Sequence, residues 1–406
     1  MPLLRTCGYR VYQSTIYLAS FFMNFSEPKV IQGAGSIEKI PSILLEKKKK
    51  CVLVVTDQVL FDLGLLKPLI SALETTKIQF AIYHDTVPNP TIDNVESGLK
   101  LFDEIKAEAI IAFGGGSSMD CAKMIGARAA NRKKSVPQMK GLLKVSHKPP
   151  LLIAVPTTAG TGSEATVAAV IVNSKTHEKY AINDMKLIPK YAVLDPQLLI
   201  GLPGKVTSTT GIDALTHAVE SYTNHFQTRK TRRKSRNAVR LIKENLLETY
   251  QNPTNLEARK NMQLAAYDAG VAFTRGYVGN IHAIAHTFGG FYNVPHGLAN
   301  AIIMPYVLRF YGKKADKRLA QLADVIALTP INNSRKEKAE AFIAWIDQMN
   351  QKMNIPKQID RVLKSSDLPL MIERAYKEAN PLYPTPIALS REQFKMLFHQ
   401  VATLSE

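Results

Sequence analysis

Cysteine is scarce in this 406-residue chain, which holds only Cys7, Cys51 and Cys121. They lie far apart and form no C-x-x-C pair. That excludes a disulfide scaffold and a thiolate zinc site, and it fits a reducing, cytoplasmic compartment. Long apolar runs are lacking too. The run Ile16–Phe22 follows Arg5 and Arg10 but is too short to span a bilayer, and no other segment reads as transmembrane. Residues 1–26 contain no acid, Glu27 being the first, and SFFMNF offers no small-residue cleavage site for a signal peptide. A docked N-terminal helix is the preferred reading over an interfacial or transit-like one. Acids are also outnumbered: 34 Asp and Glu against 52 Lys and Arg give a net charge of +18. Basic clusters stand at Lys47–Lys50 and at Arg229, Lys230, Arg232, Arg233, Lys234 and Arg236. Nucleic acid or an acidic membrane surface would suit that sign. No aromatic residue interleaves the second cluster and no nucleic-acid motif occurs, so it reads as a solvated helix face.

What is present suits a globular protein of two or three domains, with 46% hydrophobic residues. Apolar runs at Cys51–Thr56, Gln79–Tyr83, Ala109–Phe113 and Leu151–Val155 alternate with helical patterns at Thr91–Ile105 and Met119–Ala130. That alternation predicts a parallel, doubly wound sheet. Beyond about residue 205 only helical patterns follow, at Thr209–Tyr222, Ser235–Tyr250, Leu256–Phe273 and Lys338–Met353. The turn-rich stretch Gly201–Gly204 marks the boundary. The expected organisation is an N-terminal helical extension over 1–26, an α/β domain over 27–204 and a helical domain over 205–406.

The strand at Ala109–Phe113 runs into GGGSSMD, Gly114–Asp120. A glycine loop opening a helix lets the backbone approach a phosphate, and the helix N-terminus then offers free N–H groups. Ser117 can cap that helix with Asp120 as its partner. The loop is not G-x-G-x-x-G, and a purely structural glycine turn is the alternative. A second loop, PTTAGTGSE at Pro156–Glu164, also follows a strand, and Thr157, Thr158 and Thr161 could grip phosphate or ribose. Asp57 closes the first strand. It could accept hydrogen bonds from an adenosine ribose and repel a 2′-phosphate, favouring NAD over NADP, or it could be an ordinary turn residue.

Three of the nine histidines fall in HAIAHTFGGFYNVPH, His282–His296, and GIDALTHAVE carries Asp213 and His217 upstream. The i,i+4 spacings of Asp213/His217 and His282/His286 put each pair on one helix face. Asp213, His217, His282 and His296 supply nitrogen and oxygen ligands for one divalent metal, Fe²⁺ or Zn²⁺, with a position left for a substrate oxygen. His286 reads as a neighbour of that centre or a proton relay. The plainer reading is a core histidine bonded to a backbone carbonyl.

With VPNP at 87–90, these motifs stand in the order and spacing of one family: over residues 27–400 the chain resembles the iron-containing (group III) alcohol dehydrogenases. The resemblance implies a Rossmann-like parallel-sheet domain and a helical metal-binding domain of the dehydroquinate synthase-like kind, with a cleft between them. It implies Asp213, His217, His282 and His296 as ligands of Fe²⁺, with Zn²⁺ the alternative. Asp57, Asn89, Gly115, Gly116, Ser117, Ser118, Thr157, Thr158, Thr161 and Lys179 would hold NAD. His286 would lie beside nicotinamide and substrate as the catalytic residue. The implied reaction is hydride transfer between nicotinamide and a metal-held primary alcohol or aldehyde, in a homodimer. Related polyol dehydrogenases and dehydroquinate synthase-like lyases are the alternatives.

Overall fold

The computed structural model describes residues 3–23, 25–176 and 178–404. The chain forms two compact units. The α/β unit comprises Asn24–Leu202 and Pro253–Tyr267; the helical unit comprises Met1–Met23, Pro203–Asn252 and Asp268–Glu406. Two expected boundaries therefore shift. The N-terminal segment is part of the helical unit rather than a separate extension. Residues 253–267 fall in the α/β unit, although the helix Leu256–Gly276 runs on past them. Periodicity reports a helix but not which body each half belongs to.

The described strands of the α/β unit are β1 (Lys29–Gln32), β2 (Cys51–Val55), β3 (Gln79–Tyr83), β4 (Ala109–Gly114), β5 (Gly141–Leu142), β6 (Leu151–Pro156), β7 (Ala168–Asn173), β8 (Glu178–Asn183) and β9 (Tyr191–Leu194). One parallel sheet has the order β1-β9-β6-β4-β2-β3. β2 and β4 are buried along their whole length. Continuous apolar runs are what parallel strands covered on both faces require. From β2 the sheet grows to β3 on one side and to β4, β6, β9 and β1 on the other. In open α/β sheets a ligand crevice lies beyond the strand ends at such a reversal. The register pairs Val55 with Ala112 and Gly114 with Pro156. The turns after β2, β4 and β6 therefore gather at one end of the sheet.

A second sheet, β5-β8-β7, contains an antiparallel hairpin that pairs Val172 with Lys179. The sequence reading did not anticipate it, because these strands alternate between buried and half-buried positions and carry Glu178 and Lys179 at one end.

In the helical unit, the helix Gly204–Thr223 is buried over almost its entire length. A helix enclosed on all sides turns its polar residues toward protein rather than water. The N-terminal helix Leu3–Ser20 docks within the same unit. Gln13 Nε2 donates to the carbonyls of Pro381 (2.6 Å) and Tyr383 (2.9 Å), and Tyr17 stacks on Phe226 at 4.8 Å. A short parallel pair, β10 (Ile359–Leu363) and β11 (Ala402–Leu404), lies among the helices where no strand was expected. Among the described residues, no helix is long and apolar enough to cross a membrane.

Candidate metal and nucleotide sites

Asp213 and His217 project from one face of Gly204–Thr223, and His282 lies in the first turn of the helix Asn280–Tyr292. His296 opens the helix His296–Tyr311, after Asn293 ends its predecessor in a left-handed conformation with φ 52°. Gly297 fixes how closely this last helix approaches. A Cβ there would lie 2.4 Å from the carbonyl oxygen of Thr209, a backbone atom that cannot swing aside. The missing side chain lets two helices meet one residue from His296 and four from Asp213.

One donor atom from each of Asp213, His217, His282 and His296 lies within 4.8 Å of the others. The first three are buried and His296 is about a third exposed. His217 stacks between Phe273 (4.2 Å) and His282 (4.6 Å). The Asn300 amide stands where the lone pairs converge. Its Nδ2 is 2.7 Å from Asp213 Oδ1, 3.2 Å from His282 Nε2 and 3.1 Å from His296 Nε2. An amide has two N–H bonds for these three acceptors, and Asn300 Oδ1 is itself buried with no partner among the described residues. Inward-facing lone pairs with too few protons to satisfy them suit a divalent cation, and the donor set fits iron.

Glu220 is the residue that the sequence reading missed. Its Oε2 lies 2.6 Å from His282 Nδ1 and accepts from Gly279 N at 2.7 Å, while Oε1 accepts from Ile281 N at 2.8 Å. It therefore caps the first turn of this helix, and as a carboxylate it would hold the proton of His282 on Nδ1 and leave Nε2 facing Asn300. Burial pushes the Glu220 carboxyl up to about 8, against the pull of the backbone donors. Burial, together with the other three histidines, holds His282 well below the usual imidazole range and so keeps it neutral.

His286 is outside the four-ligand set. Its Nδ1 lies 2.7 Å from Glu378 Oε1, which also accepts from Tyr383 Oη at 3.0 Å, and its ring stacks on His296 at 5.1 Å. The partner is a carboxylate rather than the backbone carbonyl of the plainer reading.

In the α/β unit, Gly114 has φ 145°, a backbone that only glycine adopts readily. A Cβ there would sit 2.5 Å from Ser118 Oγ. The turn makes Gly115 the N-cap of the helix Gly116–Ala130, with no side-chain cap. The expected Ser117–Asp120 cap does not form: Ser117 lies inside the first turn, and Asp120 instead accepts from Ser163 Oγ (2.9 Å) and Val170 N (3.0 Å). No side chain therefore caps the first turn of this helix.

The other expected cofactor residues are linked around this turn. Asp57 Oδ1 caps a short helix through Leu60 N (3.0 Å), while Oδ2 lies 3.4 Å from Ser118 Oγ. Lys179 Nζ donates to Asn89 Oδ1 at 2.7 Å, and Asn89 N lies 3.4 Å from Ser117 Oγ. Thr157 N bonds Gly114 O at 3.1 Å, and Thr158 and Thr161 lie against Gly115 and Gly116.

Beneath them a buried Lys123 ties the second loop down, donating to Ser163 Oγ (2.9 Å), Thr166 Oγ1 (3.0 Å) and Ala168 O (2.7 Å). Burial depresses its ammonium to about 8 and pushes the nearby Glu164 carboxyl up to about 7. A lysine inside a helix pattern gives no sequence sign of this role.

Comparison with known proteins shows the family to which the chain belongs. Residues 27–196 match the family model for iron-containing alcohol dehydrogenase, and residues 207–402 match the C-terminal model of the Fe-containing alcohol dehydrogenase family. A 1,3-propanediol dehydrogenase of Klebsiella pneumoniae is 35% identical over 93% of this chain and 96% of its own length. An NAD-dependent methanol dehydrogenase of Bacillus methanolicus is 33% identical over 87% of this chain and 93% of its own. The alcohol dehydrogenase structure from Oenococcus oeni superposes with a TM-score of 0.89 at 32% identity, covering 93% of this chain and 99% of that one.

Proposed function

Because the chain belongs to the iron-containing alcohol dehydrogenase family, we propose that its own residues divide an NAD- and iron-dependent interconversion of small primary alcohols and aldehydes as follows. The observation that carries the reading is the convergence of Asp213, His217, His282 and His296 on one point. When bound, the divalent iron supplies Lewis-acid polarisation of the substrate oxygen and NAD accepts or returns the hydride. Glu220 keeps the His282 lone pair directed at the centre. His286 takes the proton released in alcohol oxidation at Nε2, and Glu378 at Nδ1 stabilises the imidazolium that results. In aldehyde reduction the same atom returns the proton.

The N–H groups of Gly116, Ser117 and Ser118 receive the cofactor pyrophosphate. The hydroxyls of Thr157, Thr158 and Thr161 and the linked Asn89 and Lys179 flank it, and Asp57 holds the adenosine ribose. A carboxylate there repels a 2′-phosphate, so Asp57→Gly is expected to raise kcat/KM with NADPH by about tenfold relative to NADH, roughly 1.4 kcal/mol of discrimination. Cofactor titration of the variant reads this directly; an unchanged ratio removes Asp57 from the role. The three free thiols support a cytoplasmic location. The likeness to a family of commonly dimeric enzymes supports a homodimer, which light scattering checks.

The decisive experiment follows NADH oxidation against a panel of small aldehydes, using protein stripped of metal and refilled anaerobically with Fe²⁺ or Zn²⁺. Metal-dependent turnover is expected, and it names the working metal and the substrate class together. Absence of turnover with either metal, despite verified metal and NADH binding, would overturn the reading in favour of a lyase that recycles its NAD.

A further inference from the structure

The basic cluster that the catalytic reading leaves unused has a definite shape. Arg229, Arg232, Arg233 and Arg236 follow the i, i+3, i+4, i+7 pattern along the helix Arg229–Gln251 and so form one stripe. Together with Arg318, Gln321 and Tyr222 they line a cavity of about 490 Å³ within the helical unit. Tyr222 is buried, the Arg318 guanidinium lies over its ring at 5.7 Å, and its hydroxyl donates to Gln321 Oε1 at 3.0 Å.

Among the described residues the charges of this stripe are uncompensated. Among the described residues no carboxylate pairs with Arg229, Arg232, Arg233 or Arg236, whereas Lys234 on the same helix pairs with Asp268 at 2.7 Å and Arg240 with Glu244 at 2.8 Å. No acid occurs between Ser221 and Lys243. The first turn of this helix has none either, so the arginines crowd the positive end of the helix dipole, where an anion is favoured and a cation is not. An arrangement that opposes the stability of its own helix is relieved by a bound anion.

The geometry points to a binding site for a compact oligophosphate, the di- or triphosphate group of a small molecule. Guanidinium forks grip phosphate oxygens bidentately, and several forks around one cavity match several adjacent phosphates better than a single one. Single-stranded nucleic acid would want exposed aromatic platforms for its bases. The one aromatic lining residue is buried beneath Arg318.

The test is calorimetric titration of the NADH-saturated holoenzyme with inorganic tripolyphosphate at 150 mM salt. NADH occupies the glycine-loop site, and metal content is measured before and after. One tripolyphosphate per chain is expected, with a rise in Tm. Binding should weaken at least tenfold in R232Q/R236Q, whose alcohol dehydrogenase rate, circular dichroism and metal content stay unchanged. Any heat left in that variant measures metal chelation. R233K keeps the charge but loses the fork and is expected to fall between the two. K48Q/K49Q, at the other basic cluster, should bind as the parent does. ATP binding more tightly than tripolyphosphate identifies a nucleotide as the source of the oligophosphate; equal affinity identifies the free anion. The proposal is overturned by an absence of binding, by loss of binding in K48Q/K49Q equal to that in R232Q/R236Q, or by tighter binding of single-stranded RNA than of tripolyphosphate.

Discussion

His282→Ala is expected to lose bound iron and alcohol-dependent NADH formation together, with turnover down by at least roughly 10²–10³-fold, the scale at which removing electrostatic stabilisation of a reacting oxygen is felt. The other three ligands remain, but His282 is the one held from both sides, by Glu220 at Nδ1 and by the centre at Nε2. Its removal opens a gap in a fully buried wall and takes one donor from the Glu220 carboxylate. Metal analysis and steady-state rates on the same preparation check this, with circular dichroism to show that the helix Asn280–Tyr292 survives. The informative contrast is His286→Ala, which should retain the metal while slowing turnover by about 10²-fold. If the His282 variant kept both metal and rate, the ligand assignment would be wrong.

Glu220→Gln should weaken iron affinity by about 10–100-fold, the usual cost of disturbing the group that orients a ligating histidine. The substitution preserves shape but replaces one acceptor oxygen with an NH₂. Glu220 accepts from three N–H groups through two oxygens, so in either amide orientation a donor faces a donor. One orientation sets the NH₂ against Ile281 N. The other sets it against Gly279 N and His282 Nδ1, favouring the wrong tautomer. Competition with a metal chelator reads the affinity. Full activity at saturating Fe²⁺ would place the loss in binding, whereas an affinity equal to the parent's would mean that Glu220 serves only to cap the helix.

The cluster of Asp213, His217, His282 and His296 was legible because helical spacing announces most of it. Asp213 with His217 stands on one face, and so does His282 with His286. Glu220 lies in the same GIDALTHAVE segment, one turn past His217, yet nothing local marks it as the cap of a helix that begins sixty residues later. Glu378 is still further away in sequence and reaches His286 only through the packing of the helix Leu368–Ala379. The central strands were legible because double-sided burial writes continuous apolar runs. β7, β8, β10 and β11 were not, since short or half-buried strands leave mixed patterns. Ser117 misled because a serine next to glycines looks like a cap. The positive φ of Gly114 places the cap two residues earlier, at Gly115.

Gly297 has a consequence for the order in which the centre is assembled. With no side chain between His296–Tyr311 and Thr209, helix packing brings His296 up to Asp213, and the Asn300 amide lies against both. Three helices hold the four donor atoms within 4.8 Å of one another by packing, so a divalent ion bound there would spend little of its binding free energy on ordering the chain.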